Sequence, residues 1–306
     1  MKKVFVILGP TSSGKTSLAL KLAKKMNGEI ISADSRQIYK TMDIGTGKLP
    51  INANVKIVRD VDKWIIDGIN VWGYDLVTPD AFFSAYDFAK FALPKISRGN
   101  PENKTMFVVG GTGFYIDILT GRVKPSNVMP DLELRATLET LSTEELQKKL
   151  ESLNPQEYTK IDQKNPVRLL RALEKNLNKS VNTVELPYLN DVEFVFIGLT
   201  ASREILYARA DLWVENIWQT GLISETESLL QLGYKDSPKM SGLVYKSAVA
   251  FINKELSEQQ AKERIKFDIH AYIRRQQTYF KKMPNVNWFD ISTDDFSDLI
   301  YNFING

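Results

Sequence analysis

The stretch Lys3-Val-Phe-Val-Ile-Leu-Gly-Pro-Thr-Ser-Ser-Gly-Lys-Thr16 decides the fold. Lys3 to Leu8 is short, apolar and β-branched, the pattern of a strand covered on both faces. Gly9, Pro10, Thr11, Ser12, Ser13, Gly14, Lys15 and Thr16 follow and satisfy G-x-x-x-x-G-K-[ST]. Thr16 to Met26 then carries Leu18, Leu22 and Met26 at helical spacing. The strand before and the helix after supply the context a phosphate loop needs. Its glycines let the backbone curl so that N–H groups face phosphate oxygens, and the helix N-terminus adds positive potential. Lys15 supplies a mobile cation, and the Thr16 hydroxyl can ligate Mg²⁺. The loop specifies a phosphate chain without saying whose.

Outward from this loop, Glu29–Ser32, Met106–Val109 and Phe194–Leu199 read as further short strands, with Val286–Asp290 as an edge strand. Strands separated by helical stretches predict an α/β fold with a parallel sheet flanked by helices. Residues 123–189 differ in character: they are polar, charged and helical by pattern. Asp131–Leu141 and Thr143–Leu153 read as helices, the second capped by Ser142 or Thr143. Pro166 opens another, with Val167, Leu170, Leu173 and Leu177 as its apolar stripe. The expected organisation is a core of 1–122 and 190–306 with a helical insert of 123–189. In the core, Arg203–Leu232 and Glu258–Lys282 read as long helices. The second carries Ile265, Ile269, Tyr272, Gln276 and Tyr279 at about 3.6-residue spacing.

Bulk properties exclude several classes. The 306 residues, 43% hydrophobic and 25% charged, match an ordinary globular chain, and the net charge of +3 does not by itself announce a polyanionic partner. Absence of cysteine removes disulfides, thiolate metal sites and cysteine nucleophiles, and is compatible with a cytoplasmic location. The N-terminal apolar run is too short for a signal peptide, and no window reaches the about 18 apolar residues of a membrane span.

The second strand ends in Ser32-Ala-Asp34-Ser35-Arg36-Gln37, at a carboxyl edge where open α/β sheets hold ligands. A GTPase would carry N-K-x-D, which is absent. A small-molecule kinase using Asp34 as base fits the spacing, and that alternative stays open on spacing alone. Four further segments follow in order: Ser32 to Lys40, Asp43-Ile-Gly-Thr46, Val109-Gly-Gly-Thr-Gly-Phe-Tyr115 and Asn165-Pro-Val-Arg-Leu-Leu-Arg-Ala-Leu-Glu174. With the phosphate loop, they resemble the tRNA dimethylallyltransferase family, the bacterial isopentenyl-tRNA transferases. The resemblance runs from Lys3 to about Phe280. It departs at Trp213, where R-x-D-x-R keeps Arg209 and Asp211 but lacks its second arginine. It departs again at Val244 and Ser247 in the G-Y-[KR]-E segment, and at Ile269 and His270 midway along the last long helix.

The resemblance implies that an adenine amine beside the anticodon attacks C1 of dimethylallyl diphosphate, and diphosphate leaves. Gly9 to Thr16 would bind the diphosphate, with Thr16 holding Mg²⁺. Asp34 would be the general base, with Thr112 and Arg209 completing the catalytic set. The tRNA anticodon stem-loop would meet Asp34, Ser35, Arg36, Gln37, Thr112, Val167, Arg168, Leu169, Leu170 and Arg171. No membrane or protein partner is implied. Arg168, Arg171 and Lys175 recur at i, i+3 and i+7, a basic helical face suited to backbone phosphates. Plainer readings stand beside these. Asp34 could cap a helix, Gly110–Gly113 could be a tight turn, and the arginines could be solvated charges. Asp294-Asp-Phe-Ser-Asp298 spells D-D-x-x-D but reads as an acid-rich helix start, and the lone His270 as structural. Rival functions are a P-loop kinase, a prenyltransferase for free adenylate, and a non-catalytic RNA binder.

Overall fold

A computed structural model describes residues 1–49, 55–97, 104–125, 128, 130–178, 186–187 and 189–306. Its first half contains β1 (Lys2–Leu8), α1 (Lys15–Lys25), β2 (Gly28–Ser32), β3 (Ile57–Arg59), β4 (Lys63–Ile66), β5 (Ile69–Trp72), α2 (Ala85–Ser97), β6 (Thr105–Gly110) and α3 (Gly113–Leu119). Four helices follow: α4 (Leu132–Glu139), α5 (Thr143–Leu153), α6 (Pro155–Tyr158) and α7 (Pro166–Leu177). The remainder is β7 (Val192–Thr200), α8 (Arg203–Thr220), α9 (Leu222–Gln231), α10 (Leu243–Ile252), α11 (Glu258–Phe280), β8 (Val286–Asp290) and α12 (Phe296–Asn305). The chain forms two compact units, Met1–Val123 with Tyr188–Gly306, and Lys124–Pro187.

The larger unit is built on one sheet of order β3-β4-β5-β2-β6-β1-β7-β8. From β5 to β8 all neighbours are parallel, so β1 lies deep in the sheet and its Val4 to Leu8 are buried. That two-sided burial explains its unbroken apolar run. The loops after β1, β2 and β6 therefore emerge together at one carboxyl edge. Apolar residues of β1, α1 and α8 to α12 share one core, including Ile7, Leu22, Leu206, Ala248, Ile273 and Ile300.

Three features differ from the sequence-based expectation. The sheet continues past β5 into antiparallel β4 and β3. Asp67 and Gly68, at φ 48° and 82°, make the two-residue turn between β4 and β5. Arg203–Leu232 is two helices, because Gly221 at φ 128° separates α8 from α9. The apolar face of α7 is also rotated from the predicted stripe. Leu169, Ala172 and Leu173 are buried, whereas Val167 is 74% exposed and Leu177 is 37% exposed.

The smaller unit packs Leu138, Leu146, Leu150, Leu169, Ala172 and Leu173 together. Ser142 and Glu145 cap α5 reciprocally, and Asn165 caps α7 ahead of Pro166 at its first position. Glu174 is fully buried and joins the elements. Arg135 reaches it through two 2.8 Å bonds, Arg171 pairs with it, and Asp131 N donates at 2.7 Å. Burial opposes its ionisation, yet hydrogen bonds from Arg135 and Arg171 hold it below the usual carboxylate range.

Candidate active site

The phosphate loop bends where side chains tolerate bending least. Gly9 has φ 148°, and a Cβ there would come within 2.6 Å of Leu199 O. Ser12 and Gly14 also take positive φ, 64° and 83°. The N-terminus of α1 has no side-chain cap and no acid in its first turn, so its positive end faces the loop unneutralised. Lys15 Nζ donates to Pro10 O at 2.6 Å. Burial lowers its ammonium to about 8, with the Asp34 carboxylate opposing that shift. Ser13 Oγ is buried and, among the described residues, is the one such side-chain atom without a partner.

Asp34 follows β2 and does not cap a helix. Its Oδ1 accepts from Arg36 N at 2.9 Å, closing a turn. Thr112, after β6, fixes that turn from the other side. Ser35 N donates to Thr112 Oγ1 at 3.0 Å, and the two hydroxyls lie 3.2 Å apart. Gly110 is required because a Cβ there would collide with the Ala33 carbonyl. Gln37 is buried. It accepts from Ser32 Oγ and donates to Thr46 O and Gly47 O, so its carboxamide braces the loop rather than facing solvent.

Sequence reasoning placed Gln276 at helical spacing with Ile265, Ile269, Tyr272 and Tyr279 and gave it no role; its role is polar. From α11 it accepts from Thr11 N at 2.8 Å and donates to Gly111 O at 2.9 Å. One carboxamide thus ties the phosphate loop to the Thr112 turn. A glutamine on a buried helical stripe was the signal available. Arg209 projects from α8 toward the loop, its Nη2 3.2 Å from the point a Gly14 Cβ would occupy. His270 stacks on Tyr207 at 3.9 Å and shares a 2.8 Å hydrogen bond with Asp211, joining α11 to α8. Arg274 is bonded to the Tyr207 hydroxyl. The D-D-x-x-D stretch straddles the start of α12, where Asp298 pairs with Lys25 at 3.5 Å.

Two openings meet at this edge. A cavity of about 240 Å³ is lined by Lys15, Thr16, Asp34 and Arg209, with Leu20, Leu49, Leu243 and Val244 supplying apolar surface. The departures Trp213, Val244 and Ile269 all line this cavity. A second cleft, about 390 Å³, is walled by Tyr39, Phe83, Phe114 and Tyr115 and includes Thr112 and Lys239. Arg36 and Thr46 line both. Tyr272 lies in the first cavity; burial, followed by the nearby Asp34 charge, pushes its phenol up to about 12. For a metal, the chain offers Thr16 and Asp34 beside the phosphate loop. Among the described residues there is no cluster of three or more His, Cys, Asp or Glu. That donor set fits an ion held largely by phosphate oxygens and water.

The wall formed by Asp43 to Gly47 depends on Glu225 of α9. Its carboxylate accepts from Asp43 N and Ile44 N at 2.7 Å, Gly45 N at 3.0 Å and Tyr245 Oη at 2.8 Å. Nothing in the local sequence marked this residue. Glu225→Ala leaves several donors without an acceptor, each worth about 1–3 kcal/mol. The expected loss is about 3 kcal/mol in urea denaturation, with Glu225→Gln losing less; equal stability of all three proteins would refute the clasp.

Chain topology and site together define an α/β protein whose G-x-x-x-x-G-K-[ST] loop shares one cavity with a carboxylate and an apolar wall. Family models described as IPP transferase and Isopentenyl transferase match residues 37–283 and 2–69. A tRNA dimethylallyltransferase of Acetivibrio thermocellus is 38% identical, covering 97% of this chain and 93% of its own. One from Bacillus cereus is 34% identical, covering 100% and 95%. The crystal structure of the tRNA isopentenylpyrophosphate transferase from Bacillus halodurans aligns at TM-score 0.71 and 32% identity, covering 100% and 96%. A eukaryotic dimethylallyltransferase captured acting on tRNA shares the fold at TM-score 0.75 and 24% identity, covering 99% and 78%. The chain belongs to the IPP transferase family.

Proposed function

We propose that the chain is a tRNA dimethylallyltransferase. It transfers the dimethylallyl group of dimethylallyl diphosphate to the exocyclic N6 amine of the adenosine 3′-adjacent to the anticodon. The observation that carries this reading is the cavity shared by Asp34, the Lys15 loop and an apolar wall. A kinase needs the first two; the apolar wall beside the phosphates suits a prenyl chain. The names of the curated relatives support both substrates.

In the reaction the N6–C1 bond forms while the C1–O bond breaks, and the electron pair leaves with diphosphate. Lys15, Arg209 and the α1 N-terminus stabilise the charge that develops on that leaving group. Asp34 takes the amine proton, its carboxylate held by the Arg36 N–H. Thr112 positions the Asp34–Arg36 turn through Ser35. Thr16 is the residue that would hold Mg²⁺; bound there, the ion would neutralise leaving-group charge. A tRNA substrate goes with a cytoplasmic reaction, and none of the described helices is long and apolar enough to cross a membrane.

Incubation with dimethylallyl diphosphate and bulk tRNA, followed by mass spectrometry of the nucleosides, tests the reading. A prenylated adenosine is expected; unmodified tRNA together with ATP turnover would favour the kinase instead.

The insert contributes RNA contacts through α7, with a division of labour among its residues. Leu169 is buried in the core of its unit and Leu170 packs against that core, so their side chains support the helix. Arg171 is bound to Glu174 and to Val128 O at 2.6 Å, and Lys175 to Glu157 at 3.0 Å. Val167 and Arg168 are exposed. Arg168→Glu is expected to weaken tRNA binding and flatten its salt dependence without altering thermal stability. Arg171→Glu is expected to destabilise the unit by placing a second carboxylate against Glu174. Identical melting curves for both variants would refute that division.

A further inference from the structure

We propose that Lys239 and Arg36 form a clamp for a backbone phosphate of the bound RNA. The proposal rests on the reading of tRNA as substrate. Lys239 precedes α10 on a turn tied down at several points. Ser237 Oγ donates to Pro79 O at 2.6 Å, Lys239 N donates to Ser237 Oγ at 3.2 Å, and Gly242 N donates to Lys239 O at 3.2 Å. The turn also packs on Arg36, since a Cβ on Gly242 would lie 2.9 Å from Arg36 Nη1. A rigid support therefore brings two cations to one cleft.

Both cations rest on aromatic rings. Lys239 Nζ sits 4.9 Å from the centre of the Tyr39 ring, and the Arg36 guanidinium 5.9 Å from that of Tyr272. Among the described residues no carboxylate oxygen comes within 4.0 Å of either. Burial, and then the Arg36 charge, hold the Lys239 ammonium below the usual lysine value. Two like charges kept close in a partly desolvated cleft repel one another, and an anion between them relieves that repulsion.

Arg36 lines both openings, and the position of Lys239 selects the anion. Lys239 lines the aromatic cleft with Thr112 and Phe114, and it does not line the phosphate-loop cavity. That cavity has Lys15 and Arg209 for the donor diphosphate. RNA bases splay onto aromatic walls while cations take the intervening phosphates, which is the chemistry this cleft presents.

The test measures tRNA affinity of the full-length chain across salt concentrations for the wild type, Lys239→Gln and Lys239→Arg. Loss of one phosphate contact lowers the salt slope by about 0.7–0.9. The wild type's advantage over Lys239→Gln should then grow about threefold between 200 and 50 mM salt. Lys239→Arg should keep the wild-type slope, and the KM for dimethylallyl diphosphate should not change in either variant. Lys239→Met, which keeps the aliphatic stem on Tyr39, replaces the glutamine variant if that one melts early. An unchanged slope in a folded neutral variant overturns the clamp. A raised donor KM with intact tRNA affinity also overturns it, by assigning the cations to the donor. Wild-type protein that leaves tRNA unmodified defeats the substrate reading itself; wild-type modification with an unaffected glutamine variant defeats the clamp alone.

Discussion

Lys15→Ala is expected to reduce prenyl transfer by about 10²–10³-fold, the cost of deleting one preorganised donor to a developing anion. The side chain lies beside the Pro10 carbonyl at the mouth of an uncapped helix N-terminus, where burial already lowers its ammonium to about 8. A cation in so dry a place interacts strongly with phosphate because little water screens it. The loss should divide between donor affinity and the chemical step, since charge on the leaving group grows as the C1–O bond breaks. Binding of tRNA should persist in large part, because Lys239 lines the other cleft and Lys15 does not. Full single-turnover activity of the alanine variant would remove the loop from the mechanism.

The placement of residues that belong to a contiguous motif was legible. Gly9 to Thr16, Asp34 and Thr112 each follow a short apolar strand, and parallel pairing of β1, β2 and β6 brings their ends together. The residues that hold these motifs in place were not. Gln276 meets Thr11 across 265 positions, and Glu225 meets Asp43 across 182. No local periodicity records such pairings. The β3–β4–β5 extension escaped because its strands are three or four residues long, too short to display alternation, although Asp67-Gly68 marked one turn. On α7 the predicted stripe took Val167 as buried; counting apolar residues could not show that Leu169 and Ala172 face the core instead. The departures Trp213, Val244 and Ile269, scattered over 57 positions of sequence, become intelligible as one cavity wall only in three dimensions.

Asp34→Asn is the most exposed test of the mechanism, with an expected rate loss of about 10²–10⁴-fold. Asparagine is nearly isosteric. Its carbonyl oxygen can still accept from Arg36 N, so the Asp34–Arg36 turn and the Thr112–Ser35 contact should survive. What it cannot do is take the proton from the adenine amine. An amine that keeps its proton while bonding to carbon carries positive charge in a cavity that already holds Lys15, Arg36 and Arg209. That charge would be poorly tolerated without a carboxylate beside it. The loss should therefore appear in single-turnover chemistry at saturating substrates, with the affinities for tRNA and dimethylallyl diphosphate changing far less. A kinase with Asp34 as base would also slow, so the assay must follow prenylated adenosine and not phosphate release. Near-normal prenyl transfer would strike Asp34 from the role of base. Weak tRNA binding with normal chemistry at saturation would make it a recognition residue.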